Sequence, residues 1–260
     1  MRLAKKIQKL VSLDALASVW EHASRAAHPV DARRILATID RDEIARISQL
    51  NPRRAGARRV NAWDDVGRWI DINVKRAQNL WLDRAPRLRL LDLGCGAGYF
   101  LHVCRFFGHR GIGLDTGDDP FFGALISHFG IQRTVSRIEP NVPLPDLGEK
   151  FDLVTAYRIC FQRTTREPDG TWNEWAPSNW KFFINDVRAQ VLKPGGRLLL
   201  DFNPRQDGSS FFTPELRKLF LAEGARIFRS SALFATDPQD RPRFRQLQKA
   251  TNRSTDQLVA

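Results

Sequence analysis

Apolar residues follow two rhythms along this chain. In the first third they recur at helical spacing. Leu3, Ile7, Leu10 and Val11 share one face of a first helix whose other positions hold Lys5, Lys6 and Lys9. Ile35, Ile39, Ile44 and Ile47 mark a second helix over 31–50, stopped by Asn51-Pro52. Trp63, Val66, Ile70, Val74 and Ala77 mark a third over 62–82. Beyond it, short apolar runs alternate with helices. Strands are predicted over 88–93, 110–114, 131–138, 151–157 and 197–202. Helices are predicted over 99–107, 120–129, 179–192 and 213–223, with a strand or tight hairpin over 225–235. Continuously apolar strands in such an alternation imply a parallel sheet buried on both faces, with ligands beyond the carboxyl ends of the strands.

The composition of the 260 residues, 42% apolar and 27% charged, is that of a globular chain, and no apolar run reaches membrane-spanning length. The pattern divides it into a basic helical extension over 1–60, a main domain over 61–236 and a basic polar tail over 237–260. The net charge of +12 taken whole suggests nucleic acid or an anionic membrane surface. Its distribution weakens that suggestion. Residues 1–60 hold 13 basic and 6 acidic side chains, 61–203 hold 18 and 17, and 204–260 hold 10 and 6. Basicity therefore describes the flanks. The first helix suits contact with a membrane surface or a partner, but packing on its own domain is the favoured reading. The run Arg53-Arg54-Ala55-Gly56-Ala57-Arg58-Arg59 lacks interleaved aromatics and reads as a solvated linker or a nucleic-acid contact. Cys95, Cys104 and Cys160 form no CxxC pair and no zinc spacing, and no secretory leader follows Met1. The expected location is cytoplasmic, and no metal is expected.

The segment richest in chemistry is Leu90-Leu91-Asp92-Leu93-Gly94-Cys95-Gly96-Ala97-Gly98-Tyr99-Phe100, where three alternate glycines leave a strand and open a helix. Glycine admits positive φ and close approach of a ligand to the backbone, and the helix start presents free N–H groups. A dinucleotide loop needs G-x-G-x-x-G. Here the further glycine would have to stand at Tyr99 or Leu101, so dinucleotide binding is disfavoured.

Asp92-Leu93-Gly94-Cys95-Gly96-Ala97-Gly98 resembles the first motif of the class I S-adenosylmethionine-dependent methyltransferases. Gly111-Ile112-Gly113-Leu114-Asp115 is similar to that family's second strand, Phe151-Asp152-Leu153-Val154 to the opening of its fourth, and Leu192-Lys193-Pro194-Gly195-Gly196-Arg197-Leu198 to the turn into its fifth. The matches fall in family order across about 88–203. The resemblance implies an α/β fold: a doubly wound, mostly parallel sheet of about seven strands with a reversed last strand and helices on both faces, here with an N-terminal helical extension. It also implies S-adenosyl-L-methionine as cofactor. The glycine loop (Gly94, Cys95, Gly96, Gly98) and Asp92 would hold its methionine part, though Asp92 also suits a structural carboxylate that satisfies loop amides. Asp115, at the end of the second strand, would accept from both ribose hydroxyls. Where family members commonly place an acidic residue against adenine, this chain has Ile138, followed by Glu139. Ile138 would pack on the ring while Glu139 or a backbone amide meets its edge. Ala156, late in the fourth strand, completes the expected cofactor set.

The fourth strand runs into Thr155-Ala156-Tyr157-Arg158-Ile159-Cys160-Phe161, which the resemblance places before the reactive methyl. It is not the Asp/Asn-Pro-Pro-Tyr/Phe signature of base methylation. Tyr157 and Arg158 are the expected catalytic residues, with His102 and His109 as weaker candidates for a base. Arg158 also suits an anionic acceptor. Between Phe161 and Trp180, the polar insertion with Trp172, Trp175 and Trp180 builds either a lid or stacking wall, or an anchor on the next helix. The expected activity is in-line methyl transfer to a small-molecule or sugar (glycan) acceptor. RNA or another nucleic acid, drawn by the flanks, and a non-catalytic adaptor on the same fold are the alternatives.

Overall fold

The structure, a computed structural model, describes residues 23–49, 64–168, 172–203 and 211–239. The first predicted helix, the basic run over 53–59 and the tail from 240 lie outside the described residues. The strands are β1 (Arg89–Leu93), β2 (Arg110–Asp115), β3 (Gln132–Val135), β4 (Phe151–Ile159), β5 (Arg163–Arg166), β6 (Trp172–Glu174), β7 (Leu192–Phe202), β8 (Arg226–Phe228) and β9 (Ser231–Ala235). The helices are α1 (Ala32–Leu36), α2 (Arg41–Ser48), α3 (Val66–Asn79), α4 (Tyr99–Phe106), α5 (Pro120–His128), α6 (Pro177–Asp186) and α7 (Pro214–Ala222).

Seven strands form one sheet in the order β3-β2-β1-β4-β7-β9-β8. Pairings from β3 through β7 are parallel, and β9 is antiparallel to both its neighbours. Only Arg229 and Ser230 join β8 to β9, too few residues for a crossover, so this connection closes as a hairpin and reverses β9. Strand order turns back between β1 and β4, which opens a crevice at their carboxyl ends.

Successive apolar residues along each strand feed opposite layers. Leu90, Leu153, Leu199 and Leu233 pack with α1 to α5, through Ile35, Ile47, Ile70, Val74 and Phe121 among others. Leu91, Val154, Leu198, Leu200 and Phe234 pack with α6 and α7, through Trp180, Ile184 and Phe220. Residues of α1 and α2 thus share the core of the sheet's first face.

Three predicted elements differ in the structure. The helix expected over 31–50 is two helices, because Asp40 accepts from the amides of Asp42 and Glu43 and caps a fresh start after α1 ends. The strand expected over 131–138 shrinks to four residues, Gln132–Val135, at the sheet edge, with one further bond from the Ser136 amide to the Asp115 carbonyl at 3.0 Å. The helix expected over 179–192 begins at Pro177, a residue suited to a first helical position, and ends in a π-turn over Val187–Val191. The insertion over 161–180 also carries structure of its own, the antiparallel β5–β6 hairpin.

Candidate active site

The glycine loop is tied to the end of β2. The amides of Gly94 and Cys95 donate to the Leu114 carbonyl at 2.7 and 3.3 Å, and the Gly96 amide donates to Asp115 Oδ2 at 2.8 Å. Gly94 has φ +69°, and a Cβ built there meets nothing within 4 Å, so its missing side chain leaves open space. The tie requires close layers. A Cβ on Gly113 would lie 2.4 Å from Cys95 Sγ, so this glycine lets the Cys95 side chain rest on β2. Gly98 caps α4 in the left-handed conformation.

Asp92 lies beneath the loop, 4% exposed, with Oδ1 accepting from Thr155 Oγ1 at 2.7 Å. Burial pushes its carboxyl up to about 7, a rise that the Thr155 hydrogen bond and the nearby Arg76 charge offset only in part. A buried carboxylate short of compensating charge fits a cationic ligand group. The sign of its pH effect follows. The folded state binds this proton more tightly than the unfolded chain, so stability falls as pH rises from about 4 to about 7. A rise from 3.8 to about 7 corresponds to at most about 4 kcal/mol. Asp92→Asn should therefore raise the thermal midpoint of the ligand-free protein more at pH 8 than at pH 5. Equal effects at both pH values in calorimetric melts would contradict the assignment.

These elements open on one cleft of about 910 Å³. Gly94, Gly96, Asp115, Ile138 and Glu139 line one half, with Phe122 beside Gly96. Arg68, Trp69, Ile72 and Arg76 of α3, residues Tyr157–Phe161, Arg163 of the hairpin and Asn203 line the other. Of the residues singled out from sequence, Gly94, Gly96, Asp115, Ile138, Glu139, Tyr157 and Arg158 meet here. The others do not line it. Asp92, Cys95 and Gly98 support the loop from below, and Ala156, fully buried, packs in the core on the α6–α7 face.

Tyr157 lies under Arg76, whose guanidinium sits 4.2 Å from the ring centroid, with Phe100 against its edge. Burial raises its phenol well above the ordinary value, which keeps it protonated at neutral pH. Arg158 has φ +55° at a register shift between β4 and β7, a bulge that re-aims this side chain. Asn203 Nδ2 holds the bulge by donating to the Arg158 carbonyl at 2.9 Å. The two histidines stand elsewhere. His102, its pKa lowered by burial to about 4, lies between Thr38 and Arg105. His109 bridges the Leu82 carbonyl and the Leu88 amide at the opposite end of β1. Among the described residues, no group of three or more His, Cys, Asp or Glu is placed to hold a metal.

The tryptophans of the insertion divide. Trp180 is fully buried and Trp175 nearly so, in a cluster with Phe161 and Phe183, whereas Trp172 is exposed near Arg163 and Arg166. Sequence reasoning missed Thr155 and the α3 wall. The i, i+4, i+8 spacing of Arg68, Ile72 and Arg76 puts them on one helix face, which was the available signal. Nothing in that spacing says the face meets a cleft.

No protein-family model matches the chain. Curated relatives do. It is 26% identical over 183 residues to the ubiquinone biosynthesis O-methyltransferase of Pseudomonas putida, a match covering 65% of this chain and 67% of the relative. The enzyme of the same name from Pseudomonas fluorescens matches with the same identity and coverage. These relatives support the class I S-adenosylmethionine-dependent methyltransferase that the motifs over 88–203 resemble. Solved structures similar to this chain include an S-adenosylmethionine-bound amino pentose methyltransferase of Micromonospora echinaspora, with 25% identity, TM-score 0.38, and coverage of 56% of this chain and 52% of that one. DesVI of Streptomyces venezuelae is 14% identical with TM-score 0.45, over 76% of this chain and 99% of that one. No helix among the described residues of this chain is long and apolar enough to cross a membrane.

Proposed function

We propose that the protein transfers the methyl group of S-adenosylmethionine to a hydroxyl of a small-molecule acceptor bound between α3, the end of β4 and the hairpin. The observation that carries this reading is the single cleft of about 910 Å³, roomy enough for a cofactor and a small acceptor side by side. The name O-methyltransferase, borne by its curated relatives, supports oxygen as the accepting atom.

In this reading Asp115 takes the ribose hydroxyls, Ile138 packs on adenine with Glu139 at its edge, and the Gly94–Gly98 loop faces the methionine part. Asp92 supplies the negative charge that the cofactor's ammonium group needs. When bound, the cofactor supplies a sulfonium methyl, which passes to the acceptor oxygen as the carbon–sulfur electron pair returns to sulfur. The chain's own residues align that oxygen and exclude water, the contribution that orientation makes to an in-line displacement. Tyr157, held protonated, serves as a wall and a hydrogen-bond donor. Among the described residues no histidine lines the cleft, so this reading assigns no side-chain base, and the acceptor's proton passes to water at the open mouth of the cleft.

Cofactor binding measured by calorimetry, followed by transfer of labelled methyl into separated RNA, protein and small-molecule fractions of a cell extract, tests the reading. Binding with label in the small-molecule fraction is expected. Label confined to RNA or protein would overturn the acceptor, and absence of binding would overturn the site.

A further inference from the structure

The half of the cleft assigned to the acceptor is lined by Arg68, Arg76, Arg158 and Arg163, and by no carboxylate among the described residues. Both carboxylates lining the cleft, Asp115 and Glu139, stand in the other half. The main domain as a whole is nearly neutral in charge, so this gathering is local. The carboxylate neighbours of these arginines are few, and Asp92 and Asp201 act on Arg76 through space. Arg76, half-buried, donates to Asn73 Oδ1 at 3.1 Å and faces the Tyr157 ring, and burial lowers its pKa. Arg163 carries a buried Nε with no hydrogen-bond partner. Arg158 reaches Asp201 only at 4.0 Å, and Asp201 Oδ1 is occupied by the hydroxyls of Ser230 and Ser231 at 2.9 and 2.8 Å.

Holding guanidinium groups together in a partly desolvated cleft costs free energy that an anion would return. The bulge at Arg158, with φ +55°, sets this residue among those lining the cleft. Arginine also matches oxyanions in shape, its planar fork donating two parallel hydrogen bonds to a carboxylate or phosphate. Trp69, Ile72 and Phe161 supply flat apolar surface beside these forks.

We propose that the methyl acceptor is an anion, a carboxylate or phosphate on an apolar, ring-bearing body, and that Arg158 and Arg163 with Arg76 hold its oxyanion. This rests on the acceptor half assigned above. The anionic end fixes orientation and leaves the hydroxyl toward the cofactor half.

The test uses the full chain saturated with S-adenosylhomocysteine, titrated with benzoate, phenyl phosphate and the neutral isostere benzamide by ligand-observed NMR. At least one anion should bind about tenfold or more tightly than benzamide, the size of one charge-assisted hydrogen bond pair partly screened by water. Which anion wins separates carboxylate from phosphate. Arg158→Gln and Arg163→Gln, both away from the glycine loop, should each reduce that preference at least about threefold without changing S-adenosylhomocysteine affinity, and together erase it. Equal binding of benzamide, a preference that survives the double variant, or no binding of either anion to the saturated protein would overturn the proposal. Failure of S-adenosylhomocysteine itself to bind would instead overturn the cofactor site.

Discussion

Asp115→Ala should weaken S-adenosylmethionine binding by about 100-fold or more. In the proposed cofactor site its carboxylate would accept two charge-assisted hydrogen bonds from the ribose hydroxyls, each contributing about 1.5–3 kcal/mol. It also holds the glycine loop, since Oδ2 accepts the Gly96 amide at 2.8 Å. The two roles separate by variant. Asp115→Asn keeps an acceptor for that amide and loses only the charge, so its loss should be the smaller, about tenfold. Calorimetric titration of both variants reads the difference. Alanine binding within threefold of the parent would remove Asp115 from the cofactor site.

Trp180→Ala should destabilise the fold by about 3–5 kcal/mol, a large share of the 5–15 kcal/mol that holds a typical domain together. Trp180 is fully buried where the insertion, α6, α7 and β7 meet, with rings of Phe161, Trp175, Phe183, Phe202, Phe211 and Phe220 around it. Its indole Nε1 is buried without a hydrogen-bond partner, so the side chain contributes through packing alone. Trp180→Phe should therefore cost far less, within about 2 kcal/mol. Denaturant unfolding measures both. Similar losses for the two variants would mean that the indole does more than fill space. Because Phe161 lines the cleft and packs on Trp180, the alanine variant should also loosen the acceptor half.

Much of the cofactor half was legible because its requirements are local. A glycine at positive φ, a loop that opens a helix and an acidic residue ending the next strand each announce themselves within a few residues, as Gly94, Gly98 and Asp115 do. Alternation of apolar runs likewise declared the sheet, and the two residues between β8 and β9 decided its reversed strand. The break at Asp40 is hidden from periodicity because Ile35, Ile39, Ile44 and Ile47 keep helical spacing across it. Ala156 was misplaced by one step of the pleat. In β4 its neighbour Tyr157 faces the cleft, and Ala156 must face the other layer.

The acceptor half was not legible in that way. Arg68 and Arg76 lie more than 80 positions from Arg158 and Arg163, in a helix that precedes the recognisable motifs. Their meeting depends on how α3 packs over the sheet and on a bulge at Arg158 that Asn203 clasps from β7. The sequence by itself determined a nearly neutral domain, its order of strands and helices, and a glycine loop and acidic strand end that line the cleft. It placed the basic charge in the flanks. Only the tertiary structure gathered five arginines of the neutral domain into one cleft, because a sum over a segment is blind to which side chains the fold turns toward one another.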